Sequence, residues 1–246
     1  MRLLKRYSHA RRQPELAIYW VKIRGNRLRN AWWLRGGYDP ARYWRARGKG
    51  YSREFDEHDQ ETAAAFDQQE RMLLRCLSDL HFSSALEIGC GFGRILKLLS
   101  DHFQLRHLEG LDISPYQIRH AGEYIKNPRV ALAVADITAP LNHSDREFDL
   151  VLTCEVLMHI PEPSTVLEEM VRVSNRYVVN LEYFDPSAES LSPWVFNHDL
   201  VEMYQTLLPP PNSPISLPIK TIQLARNQRI VVLTKKPAHQ KDNGDT

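Results

Sequence analysis

The sequence predicts an α/β fold: a doubly wound, mostly parallel sheet with helices on both faces and an antiparallel hairpin at its C-terminal end. Three observations predict it. From residue 61 onward, short apolar runs of strand length alternate with segments of helical period. A glycine-rich turn follows the first such strand and opens a helix. The last two strand-like runs are separated only by Arg226-Asn227-Gln228, a link short enough for a hairpin.

Residues 61–80 read as a helix, because Phe66, Leu73, Leu77 and Leu80 share one stripe. Ser84-Ala85-Leu86-Glu87-Ile88 is a short buried strand. Ile95, Leu96, Leu98 and Leu99 mark the helix after the glycine turn. His107 to Asp112 is the second strand. Ser114 is expected to cap the next helix, with Pro115 as its first residue and Gln117 as the reciprocal cap. Val130 to Asp136 and Phe148 to Thr153 are the third and fourth strands, 164–174 a helix, and Tyr177 to Leu181 the fifth strand. The proline-rich stretch Leu208 to Pro214 must be a loop. Ile219 to Ala225 and Arg229 to Thr234 form the hairpin, and Lys235 to Thr246 is polar, with 236–246 expected as a disordered tail.

Apolar residues make up 43% and charged residues 25% of the 246, as in ordinary globular chains. No run of 18 uncharged apolar residues suggests a spanning helix. Cys76, Cys90 and Cys154 lie far apart, which excludes a disulfide framework and points to a reducing, cytoplasmic setting. The net charge of +2 conceals an asymmetry: residues 1–54 hold 15 Lys+Arg against 3 acids, leaving 17 against 27 in the remainder. Residues 1–60 therefore read as a basic arm or lid, in which Trp32, Trp33, Tyr38, Tyr43 and Trp44 interleave with arginines. Such an arm suits peripheral contact with an anionic membrane or RNA, or packing against the acidic body of the same chain.

The most informative segment is Leu86-Glu87-Ile88-Gly89-Cys90-Gly91-Phe92-Gly93-Arg94. A dinucleotide turn would place its third glycine at position 94, where Arg94 stands. An acid two residues before the first glycine suits a ligand carrying positive charge. This segment resembles the first motif of the class I S-adenosylmethionine-dependent methyltransferases, E/D-x-G-x-G-x-G, at Glu87, Gly89, Gly91 and Gly93. The resemblance extends to Asp112 at the end of the second strand, to Asp136 and Ile137 after the third, and to the segment Phe148 to Ile160. It covers roughly 61–235. It implies a seven-stranded Rossmann-like sheet and S-adenosylmethionine as cofactor. It also implies that Asp112 takes the ribose hydroxyls and that Asp136 faces the adenine amino group with Ile137 beside the ring. Glu87 would favour the cofactor's ammonium and the helix start after Gly93 its carboxylate. Cys90, Ile113 and Cys154 adjoin these positions and are taken with them as cofactor contacts. Asp112 could also simply end a strand, and Asp136 could cap Thr138.

Methyl transfer from a sulfonium rests on proximity and orientation, with a base only where the acceptor must lose a proton. His159, after the fourth strand, is a candidate base or an orienting residue. Glu155 and His198 are further candidates; Cys154 would act as a nucleophile only if activated. No metal site is apparent. The Asn/Asp-Pro-Pro-Tyr/Phe turn of amino-methylating nucleic-acid enzymes is replaced by Thr153-Cys154-Glu155-Val156. An oxygen or nitrogen of a small molecule, saccharide or lipid is thus the expected acceptor. The alternatives are an RNA methyltransferase using the basic arm, and a non-catalytic nucleotide-binding or dehydrogenase-like module.

Overall fold

A computed structural model describes residues 38–46, 60–187, 190–192, 194–207, 218–224 and 227–235. Most of the arm (1–37 and 47–59), the proline-rich loop and the tail 236–246 lie outside these residues, so the expectations for them are not addressed by the fold. All the elements below belong to the unit Pro40–Thr246.

A short helix over 40–46 comes first. Helix α1 (Gln60–Ser78) precedes strand β1 (Ser84–Ile88). Then follow α2 (Arg94–His102), β2 (His107–Asp112), α3 (Pro115–Ile125), β3 (Val130–Val134), β4 (Phe148–Cys154) and a 3-10 turn at Leu157–His159. The chain continues through α4 (Ser164–Val173), β5 (Ser174–Tyr183), a ribbon of β6 (Ser190–Ser192) and β7 (Val195–Phe196), and α5 (Leu200–Leu207). The hairpin β8 (Ile219–Gln223) and β9 (Gln228–Thr234) ends the domain.

The sheet has seven strands in the order β3-β2-β1-β4-β5-β9-β8. β1 to β5 pair in parallel, while β9 runs antiparallel to both β5 and β8. The later hairpin strand lies inside the earlier one because β9 is apolar on both faces and β8 is half exposed. Asn227 turns the hairpin at φ +57°, a conformation that Asn tolerates.

Both faces of the sheet are buried. One packs Ala85, Leu108, Leu150, Leu152, Val179 and Leu181 against α1, α2 and α3. The other packs Leu86, Leu111, Val151, Val178 and Val231 against α4 and α5. A register shift between Phe148 and Leu150 lets Phe148 join the second face despite its parity.

Three expectations need correction. Ser114 occupies the N-cap of α3 with Pro115 after it, but its side chain makes no cap bond. The Ser114 N–H instead donates to Asp112 Oδ1 at 2.8 Å, because a carboxylate is a stronger acceptor than a hydroxyl or a side-chain amide. Strand β3 stops at Val134, since Asp136 is drawn into a turn with Thr138 and Ala139. Lys235 is not part of a polar tail: it is buried, and its Nζ donates to the carbonyls of Val171 and Ser174 at the end of α4.

Candidate active site

β1 and β4 are neighbours although β2 follows β1 in the chain, so the sheet reverses direction of winding between them. Ligands of open α/β sheets bind beyond the carboxyl ends of the strands at such a point. The glycine loop leaves β1 there. Gly89 N and Cys90 N both donate to Leu111 O on β2, at 2.7 and 2.8 Å. Gly93, at φ +90°, is the N-cap of α2.

The glycines are not equivalent. A Cβ on Gly89 would stand 2.5 Å from a Val156 methyl, and one on Gly93 would stand 2.7 Å from Ile125 Cδ1. Those two are required by protein packing. A Cβ on Gly91, at φ +54°, would meet no atom within 4 Å. The loop therefore opens onto free space at Gly91, where backbone can approach a ligand.

Acids border that space. Asp112 receives Gly91 N at 2.9 Å on one oxygen and Ser114 N on the other. Each oxygen retains a lone pair for a further donor. Burial raises the Asp112 carboxyl above its usual range, against the pull of these two N–H groups. Glu87 is buried at the end of β1, and its Oε2 has no partner. Burial pushes it well up, while Arg94 and the Leu96 N–H pull it down. Ser114 Oγ and Gln117 Oε1 are also buried without partners. Buried polar atoms are normally satisfied, so unpartnered acceptors at the end of β1 and the start of α3 are groups that a polar ligand bearing donors would complete.

Arg94, which in the sequence only marks where a dinucleotide turn would have its third glycine, has a role of its own in the structure. Its guanidinium donates to Glu70 at 2.9 Å, Gln69 at 2.8 Å and Cys154 Sγ at 3.5 Å, and it lies 4.9 Å from the Phe66 ring centroid. It thereby fastens α1 to the glycine loop.

On the β4 side, Glu155 leaves the strand at φ +55°, a conformation uncommon outside glycine and found where a site needs a chain redirected. Its carboxylate accepts from the Gln228 side chain. The following turn presents His159. Nδ1 of His159 lies 3.0 Å from the Trp194 carbonyl, which can only accept. The proton is thus on Nδ1, and in the neutral ring the lone pair is on Nε2. The Trp44 ring sits 4.6 Å from the His159 ring, and Tyr43 stacks on Trp194 at 6.4 Å.

The other candidates part company with this group. His198 bonds the Ile160 carbonyl through Nε2 at 2.8 Å and is held below its usual pKa by burial, so it ties the β7–α5 junction to the turn. Cys154 is not an activated nucleophile: burial drives its thiol up, outweighing Arg94. Asp136 Oδ1 accepts from Thr138 N and Oγ1 at 3.1 and 2.6 Å, and Oδ2 lies 3.9 Å from Arg45. Arg45 is one basic residue of the 1–54 segment that meets an acid of the same domain. Ile137 beside Asp136 is buried, and Ile113 beside Asp112 is half-buried. Among the described residues no group of His, Cys, Asp or Glu is placed to hold a metal, and no helix is long and apolar enough to cross a membrane.

Glu182 was also missed. It is 4% exposed at the end of β5 and receives the N–H groups of Val156 and Met158. The signal was present: an acid closing an apolar run, Val178-Val179-Asn180-Leu181-Glu182, as Glu87 closes β1.

Residues 86–176 match the family model described as a methyltransferase domain. Norajmaline N-methyltransferase of Rauvolfia serpentina is 32% identical over 118 residues, 44% of this chain and 40% of that one. The 2-methyl-6-phytyl-1,4-hydroquinone methyltransferase of Synechocystis is 29% identical over 91 residues, 37% of this chain and 28% of that one. The chain thus spans well under half the length of these curated relatives. Among solved structures, magnesium protoporphyrin IX methyltransferase from Synechocystis with bound SAH shares the fold at a TM-score of 0.61 and 14% identity, over 80% of this chain and 98% of that one. Residues 86–176 are thus similar to a methyltransferase domain, and the sheet that holds them has the fold of that solved methyltransferase.

Proposed function

We propose that this chain transfers a methyl group from S-adenosylmethionine to a nitrogen or oxygen of a small-molecule acceptor. The observation that carries the proposal is the open space at Gly91, whose N–H is received by the Asp112 carboxylate. When bound, the cofactor supplies an electrophilic methyl on a sulfonium. Glu87 holds its ammonium, and that positive charge offsets the burial that otherwise disfavours the carboxylate. Asp112 accepts the ribose hydroxyls with the lone pairs its backbone donors leave. Asp136 and Ile137 border the adenine end. His159, with its lone pair on Nε2, orients the acceptor or takes its proton, and Tyr43 and Trp44 form the wall of the acceptor side.

The relatives' names favour small acceptors: one is an N-methyltransferase and one acts on a hydroquinone. Calorimetric titration with S-adenosylhomocysteine and with NADH tests the cofactor. Incubating the protein with methyl-labelled cofactor and a panel of amines and phenols, scored by mass, tests the acceptor. Binding of NADH without S-adenosylhomocysteine would overturn the reading. So would cofactor binding with no labelled product from any amine or phenol.

A further inference from the structure

We propose that Glu182 is the positioning residue of this site: by receiving the Val156 and Met158 N–H groups it holds the turn after β4, and with it both Val156 against the glycine loop and His159 on the acceptor side.

The turn has a specific need. Val156 is the N-cap of the 3-10 turn Leu157–His159 and makes no side-chain cap bond. The first N–H groups of such a turn have no partner within it. Glu182 Oε1 lies 3.1 Å from Val156 N and Oε2 lies 3.4 Å from Met158 N. The carboxylate of a neighbouring strand thus does what a capping side chain would do. Glu155, just before the turn, takes the left-handed conformation, and its own N–H donates to the Leu181 carbonyl on β5 at 2.8 Å.

The turn touches both halves of the site. The Val156 side chain fills the space that Gly89 leaves by having no Cβ. The His159 N–H bonds the Val156 carbonyl at 3.0 Å, and the ring is directed by Trp194. If the turn shifts, the floor of the glycine loop and the imidazole shift together.

Behind Glu182 runs a buried chain of donors pointing one way. Tyr204 Oη donates to Asn180 Oδ1 at 2.8 Å, and Asn180 Nδ2 donates to Thr153 Oγ1 at 2.9 Å. The Thr153 hydroxyl proton is left for Glu182, whose charged form it favours along with the turn's N–H groups. Such a chain strengthens each bond in it and ends on a single acceptor. Hydrogen bonding and burial oppose each other, and burial leads, so the carboxyl is pushed up to about 7. The groups around it are Cys154 and Glu155 at the end of β4, Arg94 beside Cys154, Arg229 opposite on β9 and Tyr204 on α5. Cys154 and Tyr204 are both driven up by burial and stay neutral near pH 7. Arg229 is engaged by Asp199 at 2.8 Å.

A protonated carboxyl, or the amide of Glu182→Gln, can accept from one of the two N–H groups but presents a hydrogen to the other. The test uses the intact chain and nuclear magnetic resonance of the Val156 and Met158 amides and the His159 ring nitrogens. In the wild type the two amide signals should titrate together with one midpoint near neutral pH. In Glu182→Gln that titration should vanish, and the two amides should exchange about tenfold to a hundredfold faster, the loss expected for a bond to a charged group. The His159 ring should then lose its pure Nδ1–H signature. Val156 and Met158 amides that exchange in the wild type as fast as unprotected amides would overturn the proposal, a result that needs no variant to fold. So would a folded Glu182→Gln protein with the His159 signature unmoved, which would make Glu182 a stability residue only. The proposal rests on the cofactor reading in one arm alone: Glu182→Gln should also weaken S-adenosylhomocysteine several-fold through Val156. If the wild type fails to bind that probe, the cofactor reading falls, while the amide and imidazole results still judge Glu182.

Discussion

Gly91→Ala separates binding from folding. The new Cβ would meet no protein atom within 4 Å, so the folded state gains no clash. The cost to the fold is the left-handed conformation at φ +54°, about 1–2 kcal/mol for a residue with a Cβ. Reduced freedom of the unfolded chain returns roughly 0.4–1 kcal/mol of this. The net loss is about 1 kcal/mol, or a Tm drop of roughly 2–4 °C for a domain of this size. The same methyl occupies the space assigned to the cofactor. Overpacking of that kind typically costs about 1–3 kcal/mol, or roughly fivefold to more than a hundredfold in affinity. Gly93→Ala should behave oppositely, since its Cβ would strike Ile125 at 2.7 Å in addition to the φ of +90°, and the fold itself should suffer. The assay is a melting curve and a calorimetric titration with S-adenosylhomocysteine on each variant. A folded Gly91→Ala protein that binds as tightly as the wild type would refute the assignment of that space to the ligand.

Asp112→Asn should lower affinity for S-adenosylhomocysteine about tenfold to a hundredfold, because the amide leaves Gly91 N or Ser114 N facing a donor; titration calorimetry checks it. Gly110→Ala should destabilise the fold by about 1–3 kcal/mol in denaturant melts, since its Cβ would overlap Leu96 and crowd Cys90 beneath the loop. Arg172 holds Glu169 below its usual pKa, so the stability from that pair is complete above the ordinary carboxylate range and is lost as pH falls through the depressed value. The stability difference between wild type and Arg172→Met should therefore shrink between about pH 5 and pH 2. Cys76, Cys90 and Cys154 are all driven up by burial, so a thiol reagent should label the native protein slowly and the urea-unfolded protein fast. Rapid native labelling of Cys154 would restore it as a reactive group.

Periodicity and punctuation determined the architecture. The alternation of short apolar runs with helical stripes specified the parallel sheet, because a strand buried on both faces and a helix buried on one leave different patterns in the chain. The glycine spacing and Glu87 marked the loop, because only a backbone free of side chains can turn there and admit a ligand. What the sequence could not state is which partner each polar group finds. Ser114 and Gln117 have the spacing of a capping box, yet Asp112, held in place by β2, takes the Ser114 amide instead. Glu182 lies 26 positions from Val156, and only the parallel pairing of β4 with β5 brings its carboxylate under the turn. His159 and His198 look alike as lone histidines, and their different carbonyl partners, Trp194 and Ile160, separate them. Burial, which drives Cys154, Glu182 and Glu87 from their ordinary ionisation, is a property of the packed layers on either side of a residue. Local pattern therefore decides which elements form, whereas hydrogen-bond partners and desolvation depend on contacts between segments far apart in the chain.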